Sequence, residues 1–206
     1  GTKGGAHREE KAGGVGSGAG IERCRADGSG RAYLQMGRDG VKTDMTKQIE
    51  HALWVKNRKM GTFGCFEVSI GFNDSYRGAV ERVDFITYNT KGEVYCYEIK
   101  VSKSDFNSSA KKTFIGDLNY YVMPHALWDE LSREKDFRWS LYDVGVYTIR
   151  DNRSLGLTCV KPAKRKQVSV GTKAVVLESM VRSLNREVSK LYKLNPIWEC
   201  NEEVEG

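Results

Sequence analysis

The chain has 206 residues, with 33 Lys and Arg against 27 Asp and Glu, a net charge of +6 and a sequence pI near 9.0. That length bounds it to one domain with a substantial core plus extensions, and the sign of the charge suits a polyanionic partner. Cys24, Cys65, Cys96, Cys159 and Cys200 show no Cys-x-x-Cys spacing and only three His occur. This argues against a zinc site and a disulfide framework, and for reduced thiols in a cytoplasmic, intracellular setting. No apolar run approaches the ~20 residues needed to span a membrane, and the start has no signal-peptide core.

Residues 1–43 hold about half of the 22 glycines and few large apolar side chains. Such a segment buries too little surface to offset its ordering entropy, which predicts a disordered Gly-rich tail. Residues 44–195 read as the folded domain and residues 196–206 as an acidic C-terminal tail. A first helix is expected from Thr46 to about Lys59, with Asp44 as its N-cap. Ile49, Leu53 and Lys56 make one helical stripe, with Glu50 and Trp54 beside it. Phe63 to Ile70 reads as a strand in which Phe66, Val68 and Ile70 share a face, and Cys65, Glu67 and Ser69 the other. Glu67 is either an exposed strand position or part of a cleft. Asn73 to Gly78 is a polar loop, followed by the hairpin described below. Ser102-x-x-Asp105 then reads as a capping box opening a helix to about Lys112. Leu118 to Met123 is a strand ended by Pro124. Ala126 to Lys135 is a helix with Leu127, Trp128 and Leu131 inward. Val144 to Ile149 and Leu155 to Val160 form a second hairpin. Thr172 to Tyr192 is the last helix, its buried face marked by Val176, Met180, Leu184, Val188 and Leu191. This order predicts an α/β fold, a central mixed β-sheet flanked by helices on both sides.

The stretch from Arg82 to Val101 carries the chemistry. It reads as two strands joined by a tight turn, the first bearing Asp84 and the second Glu98-Ile99-Lys100. Asn89 suits the first position of a type I turn and Gly92 the left-handed position after it. A three-residue loop of Thr90, Lys91 and Gly92 sets Asn89 against Glu93 and, counting back, Asp84 against Glu98. Directly opposed residues share a face, and Lys100 joins them from two residues on. A one-residue change in the loop would put Asp84 on the other face. Val83, Phe85, Tyr95, Tyr97, Ile99 and Val101 make one face apolar, and Ile86, Val94 and Cys96 make the charged face partly so. A strand apolar on both faces is usually central and covered. Charges there are costly to bury unless paired. Two adjacent carboxylates are stable together only with a shared proton or a cation between them. A hard dication such as Mg2+ binds through one or two carboxylates and keeps several waters.

These residues resemble the PD-(D/E)xK nuclease superfamily, through Val83-Asp84 and then Glu98-Ile99-Lys100. The block from Glu98 to Phe106 and the segment Gly116 to Pro124 look like the MmcB-like DNA-repair branch, which also occurs in phage-derived proteins. No Pro precedes Asp84. The resemblance covers about residues 46–190 and is strongest from Asp84 to Pro124. It implies a restriction-endonuclease-like core and a Mg2+- or Mn2+-dependent nuclease acting on DNA, in repair or phage DNA metabolism. Asp84 and Glu98 would hold the metal, with the backbone oxygen of Ile99 as a further ligand. Lys100 would position the attacking water or stabilise the transition state. The first helix of such folds often supplies a Glu, a position matched here by Glu50, which reads equally as a solvated helix residue.

For nucleic-acid contact the basic candidates are Lys103, Lys111 and Lys112 near the motif, and Lys164, Arg165 and Lys166 after the second hairpin. Arg182 and Arg186 lie one turn apart on the last helix, and Tyr120 or Tyr121 could offer a ring to a base. RNA in place of DNA and a homodimer both stay open. The alternative function is a catalytically inactive nucleic-acid-binding module with the same fold.

Overall fold

A computed structural model of the chain describes residues 42–71, 81–108, 113–150 and 156–196. The two predicted tails lie almost wholly outside these, as do the loop at Asn73 to Gly78 and the end of the capping-box helix. The helices are α1 (Asp44–Asn57), α2 (Lys103–Phe106), α3 (His125–Leu131), α4 (Lys135–Ser140) and α5 (Val170–Leu194). The strands are β1 (Thr62–Ile70), β2 (Glu81–Asn89), β3 (Val94–Ile99), β4 (Leu118–Pro124), β5 (Gly145–Ile149) and β6 (Leu157–Lys161). All six strands form one mixed sheet in chain order. Pairs β1–β2, β2–β3 and β5–β6 are antiparallel, while β3–β4 and β4–β5 are parallel. The two parallel joins need crossovers, and α2 lies in the first, α3 and α4 in the second.

Helices cover both faces, as the mixed pattern predicts. On one face α1 seats Ile49, Ala52 and Leu53 against Phe85, Tyr97, Ile99, Tyr120, Val122 and Ile149. The other face carries two separate packings. Val176 and Met180 of α5 cover Cys65, Val68, Val83, Ile86, Val94 and Cys96. Phe106, Leu127, Leu131 and Phe137 cover Tyr121, Met123 and Val146. Glu98 sits at the seam between them, two residues after Cys96 on β3 and paired with Tyr121 of β4.

Several local expectations change. Thr43, not Asp44, caps α1, its hydroxyl accepting the Thr46 N–H at 3.2 Å. The helix expected from Ala126 to Lys135 is instead two short helices, α3 and α4. Phe137 is six residues beyond Leu131, about 240° round a continuous helix, so one straight helix could not bury both. Leu184, Val188 and Leu191 are exposed; the buried face of α5 is Val176, Ser179, Met180 and Ser183. The stripe continues in sequence, but no described part of the sheet reaches it. Tyr120 and Tyr121 are both buried in the core, which removes them as stacking surfaces.

Candidate active site

The turn forms as its residues dictate. Asn89 and Glu93 face each other, the Gly92 N–H donates to the Asn89 carbonyl at 2.9 Å, and Gly92 has φ 74. The Asn89 side chain also accepts the Lys91 and Glu93 N–H groups. From there the register runs Tyr88↔Val94, Thr87↔Tyr95, Ile86↔Cys96 and Phe85↔Tyr97. One step further sets Asp84 against Glu98.

At that step the two strands part. Beyond Phe85↔Tyr97, β2 remains paired only with β1, while β3 continues beside β4 and the Lys100 N–H donates to Val122. Asp84 spans the split, its Oδ2 accepting the Ile99 N–H at 2.7 Å. The Ile99 N–H therefore contacts the acid pair directly. The Ile99 side chain packs under α1.

The same row extends into β1. The pairs Phe66↔Phe85 and Val68↔Val83 set Glu67 opposite Asp84. Glu67 has φ 52, a left-handed conformation that disfavours any side chain with a Cβ. The alternation of both strands slips here. Val83 leaves the face it would share with Phe85 and packs with Ile86 under α5, and Val68 joins Cys65 rather than Phe66. A regular period of two would have kept them apart, so the sequence pattern misassigned both.

The electrostatics of the pair follow from burial. Glu98 is 4 % exposed, and desolvation, then the Asp84 charge, push its carboxyl up to about 8, opposed by Lys100 and the Thr113 N–H. The carboxyls of Asp84 and Glu98 are in hydrogen-bonding contact. Asp84 is also raised, chiefly by burial, although the Ile99 N–H pulls it down. Glu98 Oε1 is buried with no hydrogen-bond partner. Such an oxygen costs about 1–3 kcal/mol unless a proton or cation meets it. Lys100 is 6 % exposed, its Nζ 3.4 Å from Asp105 Oδ1. Asp105 Oδ2 accepts the Val101 N–H, and Ser102 caps α2 through the Asp105 N–H. The capping box thus also fixes the lysine.

Glu50 does not join the acid pair directly. Lys42 Nζ donates to Glu50 Oε1 at 2.5 Å and lies 2.9 Å from Glu67 Oε1, while Arg82 Nε lies 2.9 Å from Glu67 Oε2. Glu67, the cleft alternative, raises the Asp84 carboxyl by its charge, while Lys100 and Arg82 lower it. Lys42, Arg82 and Thr113 were missed as site companions. Lys42 and Thr113 carry no sequence signal, whereas Arg82 could have been found two residues before Asp84 on the same strand.

Among the described residues the basic candidates are mostly engaged with acidic partners of their own. Lys103 is ion-paired with Glu134 at 2.5 Å and Glu130 at 3.7 Å, and Arg165 with Glu93 at 2.6 Å. Lys164 lies 3.8 Å from Asp143. Lys166 is half-buried and gives its N–H to Asp117. Lys111 and Lys112 lie outside the described residues. On α5, Arg182 donates to the Gly71 carbonyl and Arg186 to that of Glu67, so both serve the β1 edge.

Among the described residues no group of three or more His, Cys, Asp or Glu side chains is placed to hold a metal ion. Two carboxylates with an unsatisfied oxygen still suit a hard dication that keeps most of its water. Also among the described residues, no helix is long and apolar enough to cross a membrane.

No protein-family model matches the sequence, and no curated protein does. Among solved structures the chain is similar to the SPO1766 protein of unknown function from Silicibacter pomeroyi, at 18 % identity and a TM-score of 0.56. The match covers 77 % of this chain and 100 % of that one. At that identity the likeness speaks for the fold alone: a six-stranded mixed sheet flanked by helices.

Proposed function

We propose that the chain is a dication-dependent nuclease that hydrolyses DNA phosphodiester bonds, built on a restriction-endonuclease-like core. One observation carries the reading. A buried acid pair, Asp84 and Glu98, sits where β2 and β3 part, with an unsatisfied Glu98 oxygen and the buried Lys100 amine close enough to act on both carboxyls.

Asp84 and Glu98 would hold a Mg2+ or Mn2+ ion, which supplies charge neutralisation for the phosphate and a more acidic water. The chain's own groups do the rest. Asp84 is fixed by the Ile99 N–H and Glu98 by the Thr113 N–H, so neither carboxyl must reorganise on binding. Asp105 holds the Lys100 side chain beside the same acid pair, where it can orient a water or stabilise charge building on the phosphate. Glu50 acts at one remove, through Lys42 and Glu67. DNA repair or phage DNA metabolism, inside a cell, is the setting this reading carries.

The test is cleavage of plasmid and single-stranded DNA with EDTA, Mg2+ or Mn2+. Wild-type protein should cut only with a dication, and Asp84→Asn and Lys100→Ala should lose at least about 100-fold in rate, the scale of a lost electrostatic stabiliser. Full metal-dependent activity in either variant removes the assignment. The near-complete burial of Glu98 favours one alternative, an inactive nucleic-acid-binding module. It predicts salt-sensitive DNA binding with no turnover under any metal.

A further inference from the structure

Trp139 is 78 % exposed and Tyr142 74 %. They lie three residues apart, joined where the Tyr142 N–H donates to the Trp139 carbonyl as α4 ends. Leaving two large rings in water forgoes burial that either could have gained in a core, so a pair of them marks a contact surface. Their surroundings are cationic. Lys135 and Arg138 lie beside Trp139 on the same open surface. Among the described residues neither cation has a carboxylate partner. Lys164 stands 5.2 Å from the Tyr142 ring centre, held on that side by its N–H to the Asp143 carbonyl. Lys161, the neighbouring cation in sequence, is committed to structure: its Nζ donates to the Leu141 and Val144 carbonyls and so pins the turn that displays Tyr142.

We infer that Trp139 and Tyr142, with Lys135, Arg138 and Lys164, form a stacking platform for single-stranded nucleic acid. Flat faces beside Lys135 and Arg138, which have no carboxylate partner among the described residues, and Lys164, which is shared with Asp143 at 3.8 Å, match a partner that alternates bases with phosphates. The platform is also tied to the acid pair. Phe106 of α2 packs edge-on against Phe137 of α4, and Lys103 of α2 is ion-paired to Glu134, which precedes α4. The helix that follows Lys100 is therefore braced against the helix that carries Trp139.

This rests on the nuclease reading only for its geography, so the experiment reads binding without turnover. Fluorescence anisotropy of a labelled oligothymidylate is measured in EDTA over a salt series, for wild type, Trp139→Phe, Trp139→Ala, Tyr142→Ala and Arg138→Gln. Trp139→Ala should bind about tenfold or more weaker, the scale of one lost base stack, and Trp139→Phe should recover most of the affinity. Arg138→Gln should flatten the salt dependence by up to about one phosphate contact. Unchanged melting temperatures confirm that these exposed sites leave the fold intact. Trp139→Ala and Tyr142→Ala binding like wild type, or no oligonucleotide binding even at low salt, overturns the platform. Duplex bound as tightly as single strands, with no ring dependence, does so too. Loss of cleavage in Asp84→Asn with platform binding intact leaves this inference standing, while a Trp139→Ala variant that binds and cuts normally removes it and spares the nuclease.

Discussion

Replacing Glu98 with Gln should make the metal-free protein more stable at neutral and alkaline pH, although the change removes a residue assigned to catalysis. In the folded chain the Glu98 carboxyl is pushed from 4.5 up to about 8, first by burial and then by Asp84. Between those two values the folded state keeps a proton that the unfolded state has released. Stability is therefore full below about pH 4.5 and falls as pH rises toward 8, the sign expected when the native state binds more protons. The loss between pH 5 and pH 8 is on the order of a few kcal/mol, at 1.36 kcal/mol for each unit of displaced titration. Gln presents the same shape without a charge, can donate to Asp84 and can accept the Thr113 N–H. The assay is thermal or urea unfolding in EDTA at pH 5, 6, 7 and 8, comparing Glu98→Gln with wild type so that titrating groups away from the Asp84–Glu98 pair cancel. For a domain of this size the gap at pH 8 should be roughly 7–15 °C in melting temperature, closing toward pH 5. Added Mg2+ should narrow it by stabilising only the wild type. A Glu98→Gln variant less stable than wild type at pH 8, or a gap that does not change with pH, would refute the reasoning.

Other perturbations isolate other parts of the site and its frame. Glu67→Gly should be more stable than Glu67→Ala by about 0.5–1 kcal/mol even after the larger unfolded-state entropy of Gly is counted, since both lose the Lys42 and Arg82 contacts and only Ala keeps the strain at φ 52; equal chemical-denaturation midpoints would count against strain there. Gly145→Ala should cost about 1–3 kcal/mol, since a Cβ would stand 2.5 Å from the Ala163 nitrogen and from the Tyr120 ring, and a wild-type melting temperature would show that this crossing can relax. Cys96 and Cys65, whose thiols burial pushes up to about 12 and about 11, should resist a thiol reagent at pH 8 while the exposed Cys159 reacts at once. Rapid labelling of Cys96 without unfolding would mean that the sheet opens locally.

The heart of the site was readable because one turn controls it. Asn89 and Gly92 dictate a loop length, the loop length dictates a register, and the register carries Asp84 to Glu98 with no long-range information. Helix α1 was legible from its apolar period, and the second hairpin, read over Val144 to Ile149 and Leu155 to Val160, forms as β5 and β6. What could not be read depended on contacts between distant segments. Lys42 reaches Glu67, and Thr113 reaches Glu98, only after the sheet has formed. The slip in alternation at Glu67 and Asp84 breaks the rule used to assign faces, so Val83 and Val68 were given the wrong neighbours. On α5 the apolar spacing persists past the end of its partner surface, and periodicity alone cannot tell a covered stripe from a bare one. The break between α3 and α4 did leave a trace, in the six-residue step from Leu131 to Phe137.

Because each strand of the sheet lies next to its predecessor in the chain, strand pairing can proceed in order from β1, although the α5 cover over β1, β2 and β3 comes last. The Ile99 amide finds Asp84 as soon as the first hairpin closes, yet Tyr121 and Thr113 arrive afterwards to shut water away from Glu98. Bringing the acids together and taking them out of water thus depend on different segments: the turn sets Asp84 against Glu98, and Tyr121 and Thr113 bury the pair.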